Sequence, residues 1–249
     1  MRRLFAATAA VVGLAVGWFA WQNRWPDALT QDPLSVLLVS VDTLRADRLG
    51  SYGYEAAVTP VLDRLAARGM RFEQAATVAP LTLPAHASLL SGTFPAFHGV
   101  RDNGSFYVGD EITTVAESLQ AHGYRTGGFV GAFVLDRRWG IAQGFDHYFD
   151  AFDLSRYDMA AGLDAAQRPG SEVIDHALAW LAEDQDRPFL AWVHLYDPHS
   201  PYTPPEPYRS RFPATMQGAY DGEIAATDAQ IGRLLDYLES AGRLDRTVV

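Results

Sequence analysis

The chain has 249 residues, 48% hydrophobic and 20% charged, which excludes an intrinsically disordered chain and leaves length for one sizeable core. With 20 basic and 30 acidic residues the formal net charge is −10, so a nucleic-acid partner is not expected. Every basic residue is arginine, and the absence of cysteine excludes disulfides, thiolate metal sites and a cysteine nucleophile.

Met1-Arg2-Arg3 opens the chain, and an uncharged stretch follows from Leu4 to Asn23. As a helix, residues 4–22 would span roughly 30 Å, about one bilayer core. The two arginines would hold residues 1–3 on the cytoplasmic side, and Trp18, Trp21 and Trp25 would sit at the far interface. The expectation is a membrane anchor with the rest of the chain facing the periplasm or the extracellular side. A cleaved signal peptide, giving a secreted chain, is the competing reading. Residues 23–33 read as a linker.

Leu34 to Val41 (LSVLLVSV) is a short apolar run between Pro33 and Asp42, as expected of a strand buried on both faces. Thr59-Pro60 opens a helical pattern that Gly69 closes, and Met70 to Ala76 is expected to be the next strand. Pro84 marks a second helix ending near Gly92, and Thr114 to Leu119 a third. Tyr124 to Val130 reads as a strand, Val173 to Leu181 as a helix, and Phe189 to Val193 as a buried strand. Residues 132–170 have weak periodicity and many aromatics, and read as an insertion or lid. Ile224, Ile231, Leu234, Leu235 and Leu238 share one face of a long amphipathic helix stopped by Gly242, and Thr247 to Val249 begins another strand. Strands alternating with helices give an α/β fold with a mostly parallel sheet flanked by helices. With a strand beginning this close to the last residue, the expectation is an amino-terminal fragment, truncated on its carboxyl side.

Several polar residues stand at strand and helix ends. Asp42 directly follows the first strand, where open α/β sheets form their binding crevice. It suits a hard cation, and it equally suits a turn or a cap. Thr82 precedes an expected helix start; a hydroxyl there is a cap, or a nucleophile activated by a cation and by the helix end. His86 lies four residues on. Asn103, before Gly104, is an anion-binding amide or a turn residue. His194, Asp197 and His199 form the densest cluster, two imidazoles and a carboxylate after a buried strand, fit for a metal or an anion. The proline-rich run Pro201 to Tyr208 is expected to be a rigid loop.

VDTLRADRLGSYGY (41–54), TPVLDRLAARGMRFEQAATVAP (59–80), TLPAHASLLSGTFPAFHGVRDNG (82–104), HLYDPHSPYTPPEPY (194–208) and YDGEIAATDAQIGRLLDYL (220–238) together resemble the sulfatase branch of the alkaline phosphatase superfamily. The resemblance implies that residues 34–249 are the amino-terminal part of a catalytic domain hydrolysing sulfate or phosphate esters. The implied cofactor is a divalent metal: zinc, calcium, magnesium or manganese. The implied partner is a sulfated or phosphorylated small molecule, glycan or lipid. Asp42 resembles the first metal-ligating aspartate; Thr43 replaces the usual second one. Thr82 stands where the family carries the cysteine or serine that becomes formylglycine, and a threonine would yield a ketone instead of that aldehyde. Related phosphodiesterases, phosphonate hydrolases and glycerol-phosphate transferases use a threonine nucleophile. Thr82 is thus implied as nucleophile and metal ligand, His86 in place of the arginine beside it, and Asn103 as the amide holding a phosphate oxygen. His194 falls at a substrate-contacting histidine, and Asp197 and His199 at a second metal. The further metal ligands of the family follow Val249, so the fragment alone is expected to be inactive. A phosphoglycerol or phosphoethanolamine transferase, and a non-catalytic binding module of the same fold, are the alternatives.

Overall fold

The computed structural model describes residues 33–156, 160, 162 and 166–249. Among them no helix is long and apolar enough to cross a membrane. On that finding the expected membrane attachment, and the location inferred from it, are corrected and not carried forward. The segment 4–22 that suggested them lies outside the described residues.

Residues Leu34–Val249 form one compact unit built on a five-stranded sheet. Its strands are β1 (Ser35–Val41), β2 (Arg125–Val130), β3 (His147–Phe149), β4 (Phe189–Leu195) and β5 (Thr247–Val248). Their order is β3-β2-β4-β1-β5, and every pairing is parallel. Parallel neighbours need crossover connections, and the helices supply the covering layers. These helices are α1 (Pro60–Arg68), α2 (Thr82–Ser91), α3 (Val115–Gln120), α4 (Gly170–Glu183) and α5 (Met216–Ser240), with single turns at Pro95–His98 and Tyr208–Arg211.

Strand periodicity sorts the core into two layers. Phe189, Ala191, Val193 and Leu195 of β4 face α4 and α5, packing with Val173, Ala177, Leu181, Ile231 and Leu234. Trp192 points to the opposite face, where Leu83, Ala87 and Leu90 of α2 cover the sheet. His194 shares that parity, and so does Ser40 on β1, its register partner. The helix ends follow local chemistry. Thr114 and Glu117 form a reciprocal capping box at α3, and Thr215 caps α5 through the Gly218 N–H. Thr59 makes no cap bond; Asp228 of α5 accepts from Val61 N (3.1 Å) and Leu62 N (2.8 Å) and closes the start of α1 across the tertiary fold.

Two expectations are corrected. Met70 to Ala76 forms no strand, and Met70 and Phe72 are exposed, so this run finds no sheet edge to pair with. Residues 132–170 are no simple lid: Val134, Leu135 and Ile141 are buried core, and β3 extends the sheet from within the segment.

Candidate active site

The sheet's carboxyl edge sets the site. The Asp42 N–H bonds Leu195 O at 2.9 Å, so Asp42 leaves β1 level with the end of β4. Thr82 occupies the first turn of α2, and its hydroxyl donates to Asp42 Oδ2 at 3.0 Å. Two residues 40 positions apart thus meet at the crevice between strand ends and a helix amino terminus. A cleft of about 420 Å³ opens there, lined among others by Asp42, Thr43, Thr82, His86, Asn103 and His199.

Asn103 is oriented by α2. Its Oδ1 accepts the Leu83 N–H at 2.9 Å, which commits the oxygen to the helix and leaves the amide NH₂ as the donor available at the cleft wall.

His86 is held on both nitrogens. Nδ1 lies 2.7 Å from the Thr82 carbonyl and Nε2 lies 3.0 Å from Ser40 Oγ. A carbonyl only accepts, so Nδ1 carries the proton. Burial lowers the His86 pKa, which keeps the ring neutral and makes Nε2 an acceptor. Ser40 therefore donates to His86 while accepting from Trp192 Nε1–H at 3.0 Å. The bonds run in one direction, Trp192 to Ser40 to His86 to the Thr82 carbonyl. They tie α2 to the floor of the sheet beneath Thr82.

The remaining cluster divides. His194 is fully buried and stacks on His86 with ring centroids 4.7 Å apart, beneath the cleft and not lining it. Its Nε2 lies 3.6 Å from Asp42 Oδ2, and burial followed by the neighbouring His86 drives its pKa well below the usual histidine range. Asp197 turns the other way: its Oδ2 accepts the Gly170 N–H at 2.9 Å, and it lines a separate cavity beside Glu223. His199 alone of the three reaches the cleft wall. Asp197 and His199 consequently do not share one cavity, despite being two residues apart.

The family resemblance implies a divalent metal, and the donor chemistry tests it. Asp42 Oδ2 and Thr82 Oγ1 are hard oxygens at a spacing suited to adjacent ligands of one cation. Among the described residues no group of three or more His, Asp or Glu side chains completes such a site. The two oxygens fit as a partial ligand set.

Three residues of the site carried no sequence signal of their own role. Ser40 and Trp192 sit within apolar strands, where the one polar side chain amid LLVSV was the available hint. Tyr220 reaches the site from α5, and its hydroxyl donates to Thr43 O at 2.7 Å.

A family model described as Sulfatase matches residues 35–249. The Ulvan-active sulfatase of Formosa agariphila is 29% identical over 253 residues, covering 86% of this chain and 49% of that protein. Arylsulfatase A of Homo sapiens is 27% identical, covering 87% of this chain and 51% of that protein. Among solved structures, the phosphonate monoester hydrolase of Agrobacterium radiobacter superposes with a TM-score of 0.71 at 22% identity, over 86% of this chain and 61% of that one. The chain spans about half the length of these curated relatives.

Proposed function

This chain belongs to the sulfatase family, and from that premise we propose that the protein hydrolyses sulfate or phosphate esters with Thr82 as nucleophile. The observation that carries the reading is the Thr82 hydroxyl bonded to Asp42 Oδ2 at 3.0 Å, at the mouth of a cleft and the first turn of a helix. In this reading Asp42 accepts the hydroxyl hydrogen and turns the oxygen lone pair toward the substrate. Thr82 Oγ1 forms a bond to sulfur or phosphorus as the bond to the ester's alcohol oxygen breaks; that oxygen leaves with the electron pair and takes up a proton to become the alcohol. Water then cleaves the threonine ester and releases sulfate or phosphate.

The Asn103 amide donates to a nonbridging oxygen of the bound group, and the amino end of α2 favours its negative charge. Asp42 and Thr82 would hold a divalent cation, which when bound supplies charge neutralisation and lowers the hydroxyl pKa. His86 acts behind Thr82, fixing the backbone that carries it. His199 faces the same cleft, placed to touch a substrate or leaving group. With threonine at position 82, the formylglycine aldehyde of the family has no counterpart, and the covalent intermediate is an ordinary threonine sulfate or phosphate ester.

The test uses the full-length protein against aryl sulfates, phosphate monoesters and diesters and phosphonate esters, with each of zinc, calcium, magnesium and manganese. Thr82→Ala is expected to lose activity by about a thousandfold or more, and mass spectrometry of quenched wild-type enzyme to find sulfate or phosphate on Thr82. Wild-type turnover by Thr82→Ala sinks the assignment, and failure to bind any divalent metal or turn over any ester moves the protein to a binding role.

A further inference from the structure

Three polar side chains of α5, Tyr220, Glu223 and Thr227, are buried and follow one another at spacings of three and four, which puts them on one helix face. That face grips both walls of the cleft. Glu223 accepts the Thr203 N–H, and the Thr227 hydroxyl donates to the Asp197 carbonyl at 3.3 Å; both hold the segment that carries His199. Tyr220 holds the opposite wall. Its hydroxyl donates to Thr43 O at 2.7 Å and accepts from the Arg45 N–H at 3.0 Å.

Thr43 is the residue that needs holding. Its φ is +50°, and it is the one non-glycine residue with positive φ among the described residues. A β-branched side chain disfavours that left-handed conformation, which persists only where surrounding contacts enforce it. Two contacts do so here: the Thr43 hydroxyl donates to the Pro198 carbonyl, and Tyr220 takes the Thr43 carbonyl. Asp42 itself is anchored from the β1 side through its N–H on the Leu195 carbonyl, and Thr43 shares the following peptide plane with it. A left-handed turn released at Thr43 would free that peptide to rotate and loosen the carboxylate's hold on Thr82.

We propose that Tyr220 is a positioning residue for Asp42: its hydroxyl, bridging the backbone on either side of Leu44, keeps Thr43 left-handed and so maintains the Asp42 to Thr82 contact. Tyr220 touches neither Asp42 nor Thr82 in this role, and acts wholly through the turn. Its ring has a separate job, packing edge-on against Tyr202 with centroids 5.2 Å apart, which Phe would preserve. The same helix supplies a matched control. The Tyr237 hydroxyl is buried without a hydrogen-bond partner among the described residues, so Tyr237→Phe makes the same chemical change without breaking a bond seen there.

The experiment compares Tyr220→Phe with Tyr237→Phe in the full-length protein. In the crystal structure of Tyr220→Phe, residue 43 is expected to leave the left-handed region or Asp42 Oδ2 to move out of hydrogen-bond range of Thr82; an unchanged turn overturns the proposal. In turnover, kcat is expected to fall about tenfold or more while KM stays within about twofold, because the misplaced group acts on the reacting atoms. Tyr237→Phe is expected to match the wild type; equal losses in the two variants overturn the proposal by showing a general cost of Tyr→Phe in this helix. Thr43→Asn supplies a rescue, since asparagine tolerates the left-handed region. In that background the Tyr220→Phe penalty is expected to shrink, and an unchanged penalty overturns the link through the turn. The turnover readout rests on the ester-hydrolase reading. A wild-type protein inert toward every ester class defeats that reading, and the conformation of residue 43 in Tyr220→Phe then still decides this one.

Discussion

Replacing Ser40 with alanine removes one oxygen atom and little volume, so the packing term is small. The polar term is larger. Ser40 Oγ is the partner of both Trp192 Nε1 and His86 Nε2, each at 3.0 Å, and Trp192 is fully buried while His86 is 8% exposed. Trp192 is itself fully buried while Ser40 is only partly so, and an orphaned polar group here costs about 1–3 kcal/mol, toward the lower end where water can enter. His86 borders the cleft, and relief of its Nε2 by solvent brings its share toward the lower end of that range. Ser40→Ala is therefore expected to destabilise the protein by about 1–3 kcal/mol, against roughly 1 kcal/mol for an ordinary hydrogen bond. Thermal and urea unfolding of the full-length protein measure it, with Ser40→Thr, which keeps the hydroxyl, as the comparison. Turnover should fall more than stability alone explains, because His86, which holds the Thr82 carbonyl, loses its bond to the sheet. A loss under about 0.5 kcal/mol, or equal losses in the alanine and threonine variants, would refute the one-way bond chain from Trp192 to Thr82.

Three further outcomes follow from the same structure. Asp228→Ala removes both acceptors from the first turn of α1 and is expected to cost about 2–4 kcal/mol in urea unfolding, with loss of order in residues 59–69 by hydrogen exchange. Burial, reinforced by the Asp197 carboxylate, pushes Glu223 from 4.5 up to about 7. The folded state thus holds this proton more tightly than the unfolded state, and the associated stability, complete below pH 4.5, is lost as pH rises through about 7. Glu223→Gln is expected to flatten that decline, read as urea midpoints at intervals across the range; a parallel decline in both proteins would contradict the assignment. Asp42→Asn keeps the shape of the Thr82 contact and removes the negative charge, so divalent-metal affinity of the full-length protein is expected to fall at least about tenfold by calorimetric titration. Undiminished affinity would place the metal elsewhere.

The sequence determined the α/β layering, because buried parallel strands and amphipathic helices announce themselves through apolar runs, periodicity and glycine stops. LSVLLVSV, the Phe189 strand and the long helix ending before Gly242 were legible for that reason. Motif order also carried the family, since five spaced segments match together where each alone is weak. Met70 to Ala76 and the 132–170 segment were misread because strand formation depends on a neighbouring edge, and a seven-residue or three-residue stretch does not reveal whether it has one. Only the tertiary structure decided how the polar cluster at 194–199 divides. Strand parity sends His194 under the sheet's α2 face, the chain turn sends Asp197 toward α4, and His199 emerges at the cleft. Likewise Ser40 and Tyr220 act through partners more than 40 positions away, as in the Ser40 to Trp192 and Tyr220 to Thr43 bonds, whose separations are 152 and 177 residues. A local pattern encodes which face a side chain takes; what waits on that face is set by the packing of distant elements.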